Sequence, residues 1–198
     1  AELFARLERA KLPISPAAQA VLTESLIRQG ALDEAWSFYA ATHPGTDRST
    51  SRDPRFANDQ GSRSSLDWQL FSVGGVSTTL EREDGGNVLA FSVSPMGGGL
   101  IVRQMQLLPP GRYVLHGTSG KIDAPEMWRP YWELSCQNGR GLGRFPLQNA
   151  GEEGGPFVGR FDVPASCPVQ YLSLVARPHE LGSSLHGTIY EARLSRAQ

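Results

Sequence analysis

The densest aromatic cluster in the sequence is Asp123 to Glu133, DAPEMWRPYWE, where Trp128, Tyr131 and Trp132 stand among Glu126, Arg129 and Glu133. Rings in such a setting offer buried area to the apolar face of a ligand, while flanking charged or amide groups fix its orientation. Glu126 and Glu133 are also the residue types of a glycosidase acid pair. Nothing in their spacing sets a separation, and two surface glutamates are the plainer reading. Other catalytic signals fail on spacing. Gly117-Thr118-Ser119-Gly120-Lys121 misses a nucleophile elbow by one residue and lacks the first glycine of a phosphate loop. His179-Glu180 opens like a zinc motif, but Ser183 stands where the second histidine belongs. His43, His116, His179 and His186 fall in different turns or strands. The expectation is a chain that performs no catalysis.

Cys136 and Cys167 are the only two cysteines, each in a short β context, LSCQNG and PASCPV. An even pair in a turn-rich β region predicts a disulfide, here tying two stacked sheets; two unrelated buried thiols are the alternative. A zinc site needs more ligands than this pair supplies. A disulfide implies a periplasmic or extracellular setting.

The elements that must carry these residues change character along the chain. From Leu66 onward the apolar period is two, and ten strands are expected: Leu66–Val73, Val76–Arg82, Val88–Val93, Leu100–Leu108, Arg112–His116, Tyr131–Gln137, Gly143–Leu147, Phe157–Val163, Val169–Ala176 and Thr188–Leu194. Turn chemistry such as Gly74-Gly75, Pro109-Pro110-Gly111 and Asn138-Gly139 separates them. Short strands without intervening helices predict antiparallel pairing in a sandwich or jelly roll, with a barrel as the alternative.

Residues 1–45 read instead as helical. Leu3, Phe4 and Leu7 recur at helical spacing. Ser15 is an N-cap with Pro16 at the first helical position, and Ala18, Val21, Leu22 and Leu26 form one apolar stripe. Gly30 ends that helix, and Leu32, Ala35, Trp36 and Tyr39 line the buried side of the next, which stops at His43-Pro44-Gly45. Residues 46–65, TDRSTSRDPRFANDQGSRSS, carry Phe56 and Ala57 as their only apolar side chains and read as a solvated connector to the domain at 66–198.

The 198 residues hold 19 basic and 20 acidic side chains, with 39% apolar residues. Such balance argues against disorder and against a generally basic nucleic-acid binder. No run approaches the roughly 20 apolar residues of a membrane span, and AELFARLERAKL is too charged for a signal peptide. A first residue of Ala reads as a processed or trimmed start.

LIVRQMQLLPPGRYVLHG resembles the strand, turn and strand of galactose-binding-domain-like jelly rolls, notably carbohydrate-binding modules, and GTIYEARL resembles their last strand. The helical unit VLTESLIRQGALDEAWSFYA resembles a tetratricopeptide-type hairpin. The resemblance implies a mainly β jelly-roll sandwich behind a short helical segment, α+β overall, that binds a glycan or envelope polysaccharide. By alternation Trp132, Leu134 and Cys136 face the core, while Tyr131, Glu133, Ser135 and Gln137 face outward. Leu172, Leu174 and Ala176 likewise go inside, leaving Tyr171, Ser173 and Arg177 outside. Arg103 and Gln104 each interrupt the apolar set on their strand. Gln104 matches the family's strand Gln and so is placed on the ligand side. The candidate surface is Gln104, Trp128, Arg129, Tyr131, Glu133, Tyr171 and Arg177. The plainer alternative has Trp128 and Tyr131 covering the sandwich edge and Arg129 bridging a carboxylate. Such folds often carry a structural calcium, for which Asp84, Asn87 or Asp162 would supply oxygens; no other cofactor is expected. The rival function is a protein interaction or assembly module that binds its partner through the N-terminal helices.

Overall fold

Alternating burial, with every second side chain turned inward, stacks two sheets in the computed structural model, which describes residues 14–58, 61, 63–83, 85–180 and 182–197. The strands are β1 (Gln69–Leu70), β2 (Val76–Glu83), β3 (Gly86–Val93), β4 (Gly99–Gln106), β5 (Gly111–Gly120), β6 (Tyr131–Cys136), β7 (Gly141–Pro146), β8 (Gly155–Val163), β9 (Gln170–Ala176) and β10 (Leu185–Arg196). They form one sheet in the order β1-β4-β9-β6-β7 and a second in the order β2-β3-β10-β5-β8. All pairings are antiparallel. From β3 to β10 the chain alternates between the sheets, except that β6 and β7 are neighbours. The orders β4-β9-β6-β7 and β3-β10-β5-β8 are those of two interlocked Greek keys, a jelly roll, with β1 and β2 added at adjacent edges. The ten expected strands are therefore present, in order. The first is cut to Gln69–Leu70.

Between the sheets runs a line of rings: Phe56, Trp68, Trp132, Phe157, Phe145 and Phe161, with successive centroids 5.4, 6.0, 6.1, 6.2 and 6.1 Å apart. Gly159 on β8 makes room for it. A Cβ there would lie 1.7 Å from Phe145 Cε1 on the facing sheet. Gly159→Ala is expected to lower stability by about 1–3 kcal/mol through overpacking, read from urea or thermal midpoints. Phe145→Leu in the same chain should recover part of the loss, and an unchanged midpoint in the single variant would refute this packing.

The helical hairpin is α1 (Pro16–Arg28) and α2 (Leu32–Thr42). Ser15 Oγ accepts from Ala18 N at 3.3 Å with Pro16 at the first helical position. Gly30, at φ +75°, lets Ala31 N reach Leu26 O and Gly30 N reach Ile27 O, a Schellman ending. The expected stripe on α1 differs: Val21 is 66% exposed, and Thr23 is the buried side chain. The helices use Ile27, Leu32, Trp36 and Tyr39 to cover Leu66, Met105, Leu107 and Val169, which occupy one end of the outer face of the β1-β4-β9-β6-β7 sheet. Leu3, Phe4 and Leu7 lie outside the described residues.

Within the expected connector, Ser51, Arg52 and Phe56 are buried rather than free in solvent. Ser51 N donates to Leu194 O, and Ala192 N donates to Pro54 O, so this segment covers the edge of β10 that β3 leaves open. Arg52 inserts beside it, 4% exposed. Its Nε donates to Leu66 O, one amino group to Gln106 Oε1 and the other to Met105 O. Its guanidinium lies 5.8 Å from the Trp36 ring and 5.9 Å from the Tyr39 ring. Burial lowers its pKa to about 10, leaving it charged at neutral pH. The same burial, with Asp67 accepting from the Tyr39 hydroxyl at 2.7 Å, raises the Tyr39 pKa. A sequence of polar residues thus forms the clasp between hairpin and sandwich.

Cys136 and Cys167 are bonded, with Cα atoms 5.6 Å apart and a sequence separation of 31. The bond does not join the two sheets. Cys136 ends β6 and Cys167 precedes β9, its neighbour in the same sheet. The chain between them contains β7 and β8, which form the edges of opposite sheets, so the disulfide closes the loop that turns from one sheet to the other.

Candidate functional site

The outer face of the β1-β4-β9-β6-β7 sheet carries a row of polar side chains brought into line by strand register. Arg103 on β4 is opposite Ser173 on β9, Ser173 is opposite Glu133 on β6, and Glu133 is opposite Arg144 on β7. Cross-strand partners on one face lie close enough to form a continuous surface. Ser173 is 1% exposed and forms the floor, where its Oγ accepts from Arg103 Nε at 3.2 Å. Two residues along β6, Tyr131 faces the same way, half-buried between β9 and β7.

Both tyrosines on this face are in contact with arginines. The Arg103 guanidinium lies 4.9 Å from the Tyr171 centroid. Arg177 and Arg144 lie 5.0 and 5.6 Å from the Tyr131 centroid, and Arg177 also donates to Met127 O at 3.1 Å. Tyr171 touches the helix-covered cluster as well. These rings are therefore less a bare stacking platform than supports that hold three guanidiniums in place. Chemically, the strip offers planar hydrogen-bond donors, one carboxylate and a tyrosine.

The other expected site residues fall elsewhere. Gln104 does not face a ligand: it is fully buried on the inner face, where its Oε1 accepts from Arg52 N at 3.2 Å and its Nε2 donates to Arg52 O at 2.9 Å. The reason is a bulge between Leu100 and Val102, which puts Ile101 and Val102 both in the core and resets the alternation so that Arg103 points out. Trp128 is half-exposed in a 3-10 turn, Glu126–Trp128, just before β6. Arg129 braces that turn, donating to Ala124 O at 2.9 Å and Gln148 Oε1 at 3.2 Å rather than to a carboxylate. Arg144 was not anticipated, although its place beside the inward Phe145 is the alternation signal that locates it.

A cavity of about 620 Å3 lies between the hairpin and residues 46–67 and includes Asp53 and Asp67 in its lining. Their carboxylates are engaged locally. Asp53 accepts from Ala57 N and Asn58 N, and Asp67 accepts from Tyr39, Ser64 N and Ser64 Oγ. This pattern fits a braced loop better than an acid and base awaiting a substrate.

Two of the three residues offered for calcium lie among the described residues. Asn87 lies on β3, where its amide donates to Phe56 O, and Asp162 lies on β8, three strands away in the same sheet, or roughly 14 Å at the usual strand spacing. Asp84 lies outside the described residues. Among the described residues no group of three or more His, Cys, Asp or Glu side chains is placed to hold a metal ion.

No family model matches the chain, and no curated protein does. Solved structures with similar architecture include a CBM4 module, at 14% identity over 76% of this chain and 99% of that one, with a TM-score of 0.49. The CBM22-1 xylan-binding domain from Paenibacillus barcinonensis Xyn10C is 11% identical over 66% of this chain and 87% of that one, with a TM-score of 0.42. The enzymatically active domain of bacteriophage CBA120 tailspike protein 4 is 12% identical over 71% of this chain, with a TM-score of 0.47; the chain spans 20% of that protein's length.

Proposed function

We propose that this protein recognises a glycan or envelope polysaccharide, without transforming it, through the open face of the β1-β4-β9-β6-β7 sheet. The observation that carries the reading is the cross-strand row of Arg103, Ser173, Glu133 and Arg144 beside Tyr131. A hydroxyl-rich chain laid across the strands meets donors and an acceptor at successive strand positions, and the hydroxyl of Ser173 lies beneath it. Neither glutamate is in a closed pocket: Glu133 is on an open face, and Glu126 is exposed in the 3-10 turn before β6. The disulfide supports a setting outside the cytoplasm. No helix among the described residues is long and apolar enough to cross a membrane. The hairpin spends Ile27, Leu32, Trp36 and Tyr39 on its own sheet, which argues against those helices as a free docking surface for a protein partner.

Affinity electrophoresis and titration calorimetry against a panel of soluble polysaccharides test the reading. Saturable binding is expected, with Tyr131→Ala and Glu133→Ala each weakening it by about tenfold or more, the size of effect expected for central contact residues, each variant being shown by circular dichroism to be folded at the temperature of the assay. Retention on none of the glycans, or binding indifferent to both substitutions, would remove the proposal.

A further inference from the structure

Resting on that reading, we infer that the ligand is an acidic glycan, one whose sugar units carry carboxylates, and that Arg103, Arg144 and Arg177 select it. The strip presents three guanidiniums against one carboxylate, Glu133. Among the described residues none of the three arginines is in an ion pair; the ion pairs of the fold fall on Arg48, Arg55, Lys121 and Arg193. This local excess of positive charge stands on a chain whose formal net charge is −1, so it is a property of the face rather than of the composition.

The arginines are also held in position. Arg103 is fixed by the Tyr171 ring and Ser173 Oγ, Arg177 by the Tyr131 ring and Met127 O, and Arg144 by the Tyr131 ring. Each contact uses a ring face or at most one N–H, while a guanidinium has five N–H donors in a planar fork that matches a carboxylate bidentately. The rotamer entropy normally lost on binding is already partly spent. Arg103 and Arg144 lie three strand spacings apart, roughly 14 Å, so carboxylates on two separated units of one chain can be engaged across the sheet. Glu133 between them accepts from the hydroxyls of the intervening unit.

The test compares polygalacturonate with its fully methyl-esterified form, which keeps the ring hydroxyls but loses the negative charge, and uses single-stranded DNA as an unrelated polyanion. The acid form is expected to bind at least tenfold more tightly at low salt, with the advantage shrinking as salt rises. Arg103→Gln with Arg144→Gln should erase the preference, weakening binding of the acid form about tenfold more than binding of the ester. Equal affinity for acid and ester, or an acid preference untouched by the double substitution, would overturn the inference and leave glycan recognition standing. DNA bound as tightly as polygalacturonate would overturn the selectivity for sugar carboxylates. Binding to neither form would overturn this inference, while the reading beneath it stands or falls separately with the wider polysaccharide panel.

Discussion

Arg52→Ala is expected to destabilise the protein by about 3–5 kcal/mol, because it leaves buried carbonyl groups with no donor. Leu66 O, Met105 O and Gln106 Oε1 all accept from this one side chain, and its guanidinium lies against Trp36 and Tyr39. Desolvating the charge is unfavourable in itself, as the lowered pKa records. Three satisfied acceptors and two ring contacts offset that cost, and all five vanish together in the alanine variant. Arg52→Met separates the contributions. It keeps the aliphatic stem packed but leaves the same carbonyls orphaned, so it should fall between wild type and alanine. Arg52→Lys should also be destabilising, since one ammonium cannot reproduce a fork reaching three acceptors. Urea midpoints measure all three variants, and a loss below about 1 kcal/mol in the alanine variant, the scale of a single ordinary hydrogen bond, would show that the clasp is not built as described.

Removing the disulfide, by reduction or by Cys136→Ser with Cys167→Ser, should cost about 3.5–4 kcal/mol on the chain-entropy account of a loop of this length. For a protein of this size the melting midpoint would fall by roughly 7–15 °C. The effect arises mainly in the unfolded chain, where the closed loop no longer limits the separation of β6 from β9. The polar strip should survive at temperatures where the reduced protein is folded, because Tyr131 and Glu133 lie toward the other end of β6 and are held by register with β7 and β9. Calorimetric melts with and without reductant, paired with binding below the reduced midpoint, measure both parts. A midpoint insensitive to reductant, with complete reduction verified by thiol titration, would contradict the first.

Much of the architecture was legible because its signals are local. Alternation in YWELSC and YLSLVA places Trp132, Leu134, Leu172 and Leu174 inside, and each is fully buried. Gly30 and Ser15 mark helix ends because left-handed backbone and capping need particular side chains. What escaped was non-local. A one-residue bulge reverses the facing of Gln104 without altering composition, and the strand reads equally well in either register until its β9 partner is known. The polar segment 46–65 looks like a linker because burial of Arg52 depends on carbonyls contributed by residues 66, 105 and 106. On the candidate surface, Tyr131, Glu133, Tyr171 and Arg177 are visible from period two, whereas Arg144 becomes meaningful only once β7 is registered against β6.

The stacking of arginines on tyrosines makes the outer face of this sheet a stencil rather than a brush. Side chains free to sway accept charge wherever a ligand presents it, and so rank polymers by how much charge they carry. Donors pinned at set positions on a pleated sheet instead respond to where each oxygen falls, so on the proposed reading two sugars of identical formula that differ in one axial or equatorial substituent would present different shapes to this surface.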